Sequence, residues 1–311
     1  LVRNKLYNKY KADPSVANTN MFKEARRDVR RLIRSAKRTE ETRIALACKE
    51  NPKEFFAYAS NRRANRVDIG PLVKSDGDIA TSHSEIADML NNYFCSVFTQ
   101  EDTSSIPVAS LIHHGDVRLD SIVISNEMIV KRLAKLKRFK SPGPDEIPAR
   151  VIKELGVPLA EHLTTLFNHS INTTCIPSDW KTANVTPIFK KGKREMTCNY
   201  RPISLTSIIG KLLESIIADH IVEHLETNNL LFDTQHGFRR HRSCLTNLLE
   251  FFHKMILDYD TGKAVDIIYL DFQKAFDKVP HRRLMCKVRA LGISGKIADW
   301  VEEWLRDRKQ R

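Results

Sequence analysis

Ala264-Val265-Asp266-Ile267-Ile268-Tyr269-Leu270-Asp271-Phe272 is a short run rich in β-branched and aromatic residues, bounded upstream by Thr261-Gly262. Such a run predicts a β-strand. The strand delivers Asp271 at its C-terminal end, beside the turn that follows. A carboxylate in that place can hold a divalent metal, with the backbone carbonyl of Phe272 completing the shell. The same Asp could equally be a plain strand-end or capping residue. Asp266 does not substitute for it: five residues upstream it faces the opposite side of the strand, about 16 Å away at roughly 3.3 Å per residue. Asp277, past the turn, is expected to cap the next helix.

Outward from this run the chain alternates helical patterns with few strands. Downstream, 282–291 and 295–306 read as helices. Upstream, 244–258 reads as a helix. So does 207–228, with Ile208, Leu212, Ile216, Ile217 and Ile221 on one face. Thr182 to Phe189 reads as a strand running into the basic turn Lys190-Lys191-Gly192-Lys193-Arg194, which could simply be a solvated hairpin tip. Helices are expected after Pro148 and after Pro158, and another is capped by Ser125. Residues 99–120 are polar and irregular and mark the expected domain boundary. His113-His114 within them lacks the Cys or spaced carboxylate partners that a metal site needs.

The N-terminal third has a different character. Residues 84–98 form an amphipathic helix, and Ser75-Asp76-Gly77-Asp78 a hairpin-like turn. Residues 20–50 form a long helix with Phe22, Ala25, Val29, Leu32, Ile33 and Ala36 at steps of three and four. Asn51-Pro52 ends it and opens a further helix, whose Phe55, Phe56 and Tyr58 are expected in a core. The chain of 311 residues carries a net charge of +13. Residues 1–66 hold 18 Lys and Arg against 7 Asp and Glu, a net of +11, so nearly all the excess lies there. A basic segment of this kind is the footprint of a polyanion partner, with Arg27, Arg31 and Arg34 as candidate nucleic-acid contacts.

Composition excludes several classes. Hydrophobic residues make up 41% and charged residues 29%, which suits a folded chain of about two domains. No apolar run approaches the roughly 20 residues of a membrane span. The six cysteines form no CxxC pair, which excludes zinc ribbons and thioredoxin-type sites and suits reduced thiols in the cytoplasm or nucleus. The N-terminus, Leu1-Val2-Arg3-Asn4, has neither an initiator Met nor a signal region, so the chain reads as a fragment of something longer.

Tyr269-Leu270-Asp271-Phe272-Gln273-Lys274-Ala275-Phe276-Asp277-Lys278-Val279 resembles the first catalytic block of reverse transcriptases, in particular those of non-LTR (LINE-type, jockey-like) retrotransposons. Other blocks stand upstream in the family's order. Lys140-Ser141-Pro142-Gly143-Pro144-Asp145-Glu146-Ile147-Pro148 looks like the block before the fingers. Asn199-Tyr200-Arg201-Pro202-Ile203-Ser204-Leu205 is similar to the first fingers block. Gln235-His236-Gly237-Phe238-Arg239 with Arg242-Ser243-Cys244 resembles the second, and Trp180-Lys181 and Pro187-Ile188-Phe189-Lys190-Lys191-Gly192 fit between them.

The resemblance implies an α+β fold: a helix-rich basic N-terminal region (1–110), then the fingers and partial palm of a right-hand polymerase (122–311), cut before the Tyr-x-Asp-Asp block. It implies RNA-directed DNA polymerase activity in the parent enzyme, with a two-ion Mg²⁺ site incomplete in this chain. The implied partners are an RNA template, a DNA primer or target and deoxynucleoside triphosphates, with no membrane. By this resemblance Asp271 is catalytic and binds metal together with the Phe272 carbonyl. Phe272 and Phe276 flank the nucleotide, Phe276 packing under its sugar and excluding a 2′-hydroxyl. Arg201 contacts the triphosphate, as a guanidinium fork suits phosphate oxygens. Arg239, Arg242, Lys190 and Lys191 contact nucleic acid. Arg201, Phe276 and Asp271 are expected to converge on one cleft. A fragment of this kind is expected to be inactive alone; the rival readings are a non-catalytic nucleic-acid-binding remnant and a maturase-like polymerase.

Overall fold

The computed structural model describes residues 2–62, 69–106 and 118–311, which form two compact units divided between residues 68 and 69. His113-His114 lies outside the described residues.

The first unit is helical. α1 (Val2–Ala12) packs on α2 (Val16–Leu46) through Phe22, which stacks with Tyr10 at 5.5 Å and meets Tyr7 at 5.3 Å. Ser15 caps α2, its hydroxyl accepting from the Asn18 amide. A 3₁₀ turn at Ala47–Lys49 and Asn51 lead into α3 (Pro52–Arg62). Phe55 and Phe56, expected in a core, are exposed instead. The unit is too thin to have a second layer for them: Ile44 is its only buried residue on α2.

In the second unit β1 (Leu72–Val73) and β2 (Ile79–Ala80) pair across the Ser75–Asp78 turn, and α4 (His83–Ser96) follows. Leu72, Ala80, Ile86, Leu90 and Phe94 bury against Tyr200, joining this region to the sheet that comes later in the chain. Residues 69–106 therefore pack within the second unit, so the compact units part well before the polar stretch at 99–120.

α5 (Asn126–Lys135) starts at Ser125, whose hydroxyl accepts from the Met128 amide. α6 (Ala149–Thr173) is two helical pieces joined at Gly156, where φ is +43° and ψ −120°, a conformation favouring glycine; Pro158 then restarts the helix. α7 (Ser178–Lys181) leads into β3 (Thr182–Phe189). β3 pairs antiparallel with β4 (Tyr200–Leu205), Asn184 opposite Leu205 and Phe189 opposite Tyr200. α8 (Ile208–Thr227), α9 (Cys244–Asp260), α10 (His281–Ala290) and α11 (Gly295–Leu305) follow, and β5 (Lys309–Gln310) adds to β3 in parallel. One core joins α5, α6, α8 and α11 around Phe167, Leu213, Ile216, Ile297 and Trp300, with the Trp300 indole N–H donating to Ser170 Oγ at 3.0 Å. The cysteines are all free thiols.

The run 264–272 differs most from its sequence pattern. It is extended but unpaired: the backbone of 264–272 makes no hydrogen bond to another strand among the described residues, and Ile268, Leu270 and Phe272 are 81%, 92% and 87% exposed. β-propensity describes how a side chain fits a paired, half-buried surface, and a strand without a neighbour has none. Asp277 likewise caps no helix. Pro280 occupies the N-cap of α10, and Glu101 accepts from the Arg282 and Arg283 amides at 2.9 and 3.0 Å.

The tightest approach in the unit is at Gly143. A Cβ there would lie 2.4 Å from the Ser207 nitrogen and from the Thr206 carbonyl carbon. Both are backbone atoms and cannot swing aside. Gly143→Ala is expected to lower stability by about 2–3 kcal/mol, at the upper end for overpacking, and a shift of the urea midpoint measures it.

Candidate active-site region

The turn after Phe272 is held from three sides. Lys274, at φ +52°, donates to the Tyr93 hydroxyl at 2.7 Å, with its ammonium 4.4 Å from the ring centre. The Thr99 hydroxyl donates to the Lys278 carbonyl at 3.0 Å. Phe276 meets Phe238 edge-on, ring centres 6.1 Å apart. This last contact joins two of the blocks singled out in the sequence, Gln235–Arg239 and Tyr269–Val279. Tyr93, Thr99 and Glu101, from the stretch read as helix and boundary, are the holders that sequence reasoning missed. No local pattern marks them, because their roles arise only across about 180 residues of chain.

Phe276 also lines an open cavity of about 970 Å³ with Asn91, Ser204, Asp277, Arg308 and Lys309. Arg201 and Asp271 are not on its wall, so the expected meeting of Arg201, Phe276 and Asp271 is not found at this cavity: of the three, Phe276 alone lines it. Arg201 stands on β4 opposite Ile188, exposed and without an ion pair among the described residues. Three positions before Ser204, it faces the other side of the strand. Asp271 and Phe272 are exposed on the unpaired segment. Among the described residues no three His, Cys, Asp or Glu side chains gather as a metal cage. Asp271 and the Phe272 carbonyl offer too few donors for two divalent ions, whose charge calls for several carboxylates.

The remaining candidates divide by their partners. Arg239 is 12% exposed and forks onto Glu226, Nε to Oε1 at 2.9 Å and an NH2 to Oε2 at 2.6 Å, while its other nitrogen donates to the Phe232 carbonyl. The hydrogen bonds from Arg239 hold the Glu226 carboxyl below the ordinary range. Arg239 thus closes the 232–239 loop onto the end of α8. Arg242 lies 3.7 Å from Glu250, whose carboxylate also accepts from Nε2 of buried His236 at 2.7 Å. Lys190 and Lys191 are exposed on the loop between β3 and β4, and Arg194 there stacks over Phe189 at 4.5 Å. Arg27, Arg31 and Arg34 are exposed on α2, with Arg31 paired to Asp28 at 2.9 Å.

With this geometry in view, residues 188–311 match the reverse transcriptase (RNA-dependent DNA polymerase) family. Similarity extends further upstream in individual proteins. The chain is 29% identical over 245 residues to the probable RNA-directed DNA polymerase from transposon BS of Drosophila melanogaster, covering 77% of this chain and 27% of that protein. It is 27% identical over 213 residues to the RNA-directed DNA polymerase from mobile element jockey of Drosophila funebris, covering 68% and 23%. Its identity to the probable polymerase from transposon X-element of Drosophila melanogaster is 32% over 162 residues, covering 52% and 18%. The chain is similar to the RNA-directed DNA polymerases of jockey-like and other non-LTR retrotransposons, and it spans 18% to 27% of the length of these relatives. Among the described residues no helix is long and apolar enough to cross a membrane.

Near the cavity, burial pushes the Glu214 carboxyl on α8 above its ordinary range, opposed only in part by Arg308 and Lys211. The unfolded chain ionises this group at an ordinary carboxylate pKa. Stability is therefore greatest below that value and falls as pH rises through the raised folded value. Glu214→Gln, neutral at every pH, is expected to raise the urea midpoint at about pH 7 and to leave it unchanged at about pH 3, where both forms are uncharged. Equal midpoints at both pH values would show that Glu214 is fully solvated.

Proposed function

We propose that this chain carries the fingers and the first part of the palm of an RNA-directed DNA polymerase, acting on an RNA template, a DNA primer and deoxynucleoside triphosphates in the cytoplasm or nucleus. The observation that supports it most is the contact of Phe276 with Phe238. Two blocks resembling reverse transcriptase blocks, separate in sequence, meet at Phe276, which also lines a cavity large enough for a nucleotide. The match of residues 188–311 to the reverse transcriptase family supports the same reading.

In this reading Phe276 presents an aromatic edge to the sugar, leaving no room for a 2′-hydroxyl. Arg201, unpaired on β4 but off the wall of that cavity, offers its guanidinium to phosphate from the other side of the strand. Lys190, Lys191 and Arg242 are surface contacts for nucleic acid, whereas Arg239 serves by fixing the loop that carries Phe238. Phe272 borders the nucleotide. Mg²⁺ would supply charge neutralisation of the phosphates when bound. The donors on this chain, Asp271 and the Phe272 carbonyl, do not by themselves complete a two-ion site.

Two arms test the proposal. The 311-residue protein is expected to show no primer extension on an RNA template with Mg²⁺ or Mn²⁺. Residues 69–311, the second compact unit, grafted in place of the matching segment of a jockey polymerase, are expected to support extension that Asp271→Asn abolishes and Arg201→Ala lowers by at least about tenfold, the loss of one charge-assisted phosphate contact. Extension by the graft that is indifferent to Asp271→Asn would remove Asp271 from the chemistry.

A further inference from the structure

The strongest unassigned surface is on α2. At 3.6 residues per turn, eight cations between Lys23 and Arg38 fall within an arc of about 140°, along about 22 Å of helix. Arg26, Arg30 and Lys37 form one flank of the arc, and Arg27, Arg31 and Arg38 the other. Lys23 and Arg34 lie between them. All are exposed, and only Arg31 has an ion-pair partner among the described residues, an exposed Asp28 whose hold is weak. The apolar stripe of Ala25, Val29, Leu32 and Ala36 lies on the opposite side, where Phe22 receives α1. At the C-terminal end the face stops at Glu41, which accepts from the Tyr58 hydroxyl of α3 at 2.6 Å. No Gly or Pro interrupts the 31 residues, so the face is a straight ridge.

We propose that this ridge docks in the major groove of double-stranded B-form DNA. That groove is about 12 Å wide and admits an α-helix, with phosphates along both walls. The two flanks of cations match the two walls, and the length covers roughly six to seven base pairs at 3.4 Å each. The major groove of A-form RNA is too narrow for a helix. Sites for single strands interleave cations with aromatic stacking platforms, and the one aromatic residue of α2, Phe22, faces α1 instead. With no Asn or Gln among the basic positions, the ridge holds phosphates and reads little sequence. The inference deepens the nucleic-acid partnership of the proposed polymerase but rests on α2 alone. Failure of the graft to extend a primer leaves it standing, and its own failure leaves the polymerase reading standing.

The test is fluorescence anisotropy of the full 311-residue chain with one sequence presented as duplex DNA, duplex RNA and single-stranded RNA, over a salt series. Duplex DNA is expected to bind at least about tenfold tighter than either RNA, with a log–log salt slope of roughly −4 to −7 from counterion release. R27Q/R30Q/R34Q/R38Q keeps helix propensity and is expected to flatten that slope by about three to four and weaken binding at least tenfold at about 100 mM salt. Removing four charges from α1, in R3Q/K5Q/K9Q/K11Q, is expected to cost far less, and circular dichroism checks that both variants keep their helices. Either RNA losing as much affinity as duplex DNA in the α2 variant would overturn the proposal. So would wild-type affinity in the α2 variant, or an equal loss in the α1 variant.

Discussion

The backbone between β4 and α8 fixes the second unit. Thr206 and Ser207 are buried there, and Gly143 lies so close that any side chain would strike them. The Ser207 hydroxyl accepts from the Gly210 amide and starts α8, while the Trp180 ring packs within 3.2 Å of where a Cβ on Gly210 would stand. Three separated stretches, around residues 143, 180 and 207, therefore meet at one point with no tolerance for added atoms. From it β4 runs back to β3 on one side, and α8 runs into the core on the other. Glycine at 143 is required by space, not by an unusual φ, whereas a Cβ at 210 would need the Trp180 side chain to give by a few tenths of an ångström.

That junction explains why much of the fold could be read from the residues alone. β3 was legible to its ends because its partner β4 lies a short turn away and the pairing is local. The helix starts at Ser125 and Pro52, the break near Pro158 and the turn at Ser75–Asp78 were legible because each rests on neighbouring residues. The run 264–272 has the strongest strand composition of the chain and forms no strand, because composition cannot supply a neighbour. α1 went unread because it is polar and gains its place only from the stacking of Tyr7 and Tyr10 on Phe22.

The candidate site divides along the same line. Phe276 and Phe238 belonged to blocks visible in the sequence, and the structure brings their rings together. Of the parts that hold this region, Tyr93 comes from a helix read for its apolar side, and Thr99 and Glu101 come from a stretch whose polarity suggested only a boundary. Arg239 shows the converse: an exposed-looking basic residue in a block of interest is taken up by Glu226 and the Phe232 carbonyl. A cation is free for phosphate only where no carboxylate has claimed it, as on Arg201 and along α2.

A scaffold complete around β3, β4 and α8 carries the segment 264–272, which has no strand partner among the described residues and is held within the run by the contact of the Tyr269 and Phe251 rings, 6.0 Å apart, and beyond it by the turn at 274–278. Hydrogen–deuterium exchange of the 311-residue chain tests it most directly. Amides of 264–272, facing water without strand partners, are expected to exchange at close to unprotected rates, while those paired between β3 and β4 are retained many times longer. Protection of 264–272 comparable to that of β4 would contradict the claim and show that the segment is paired.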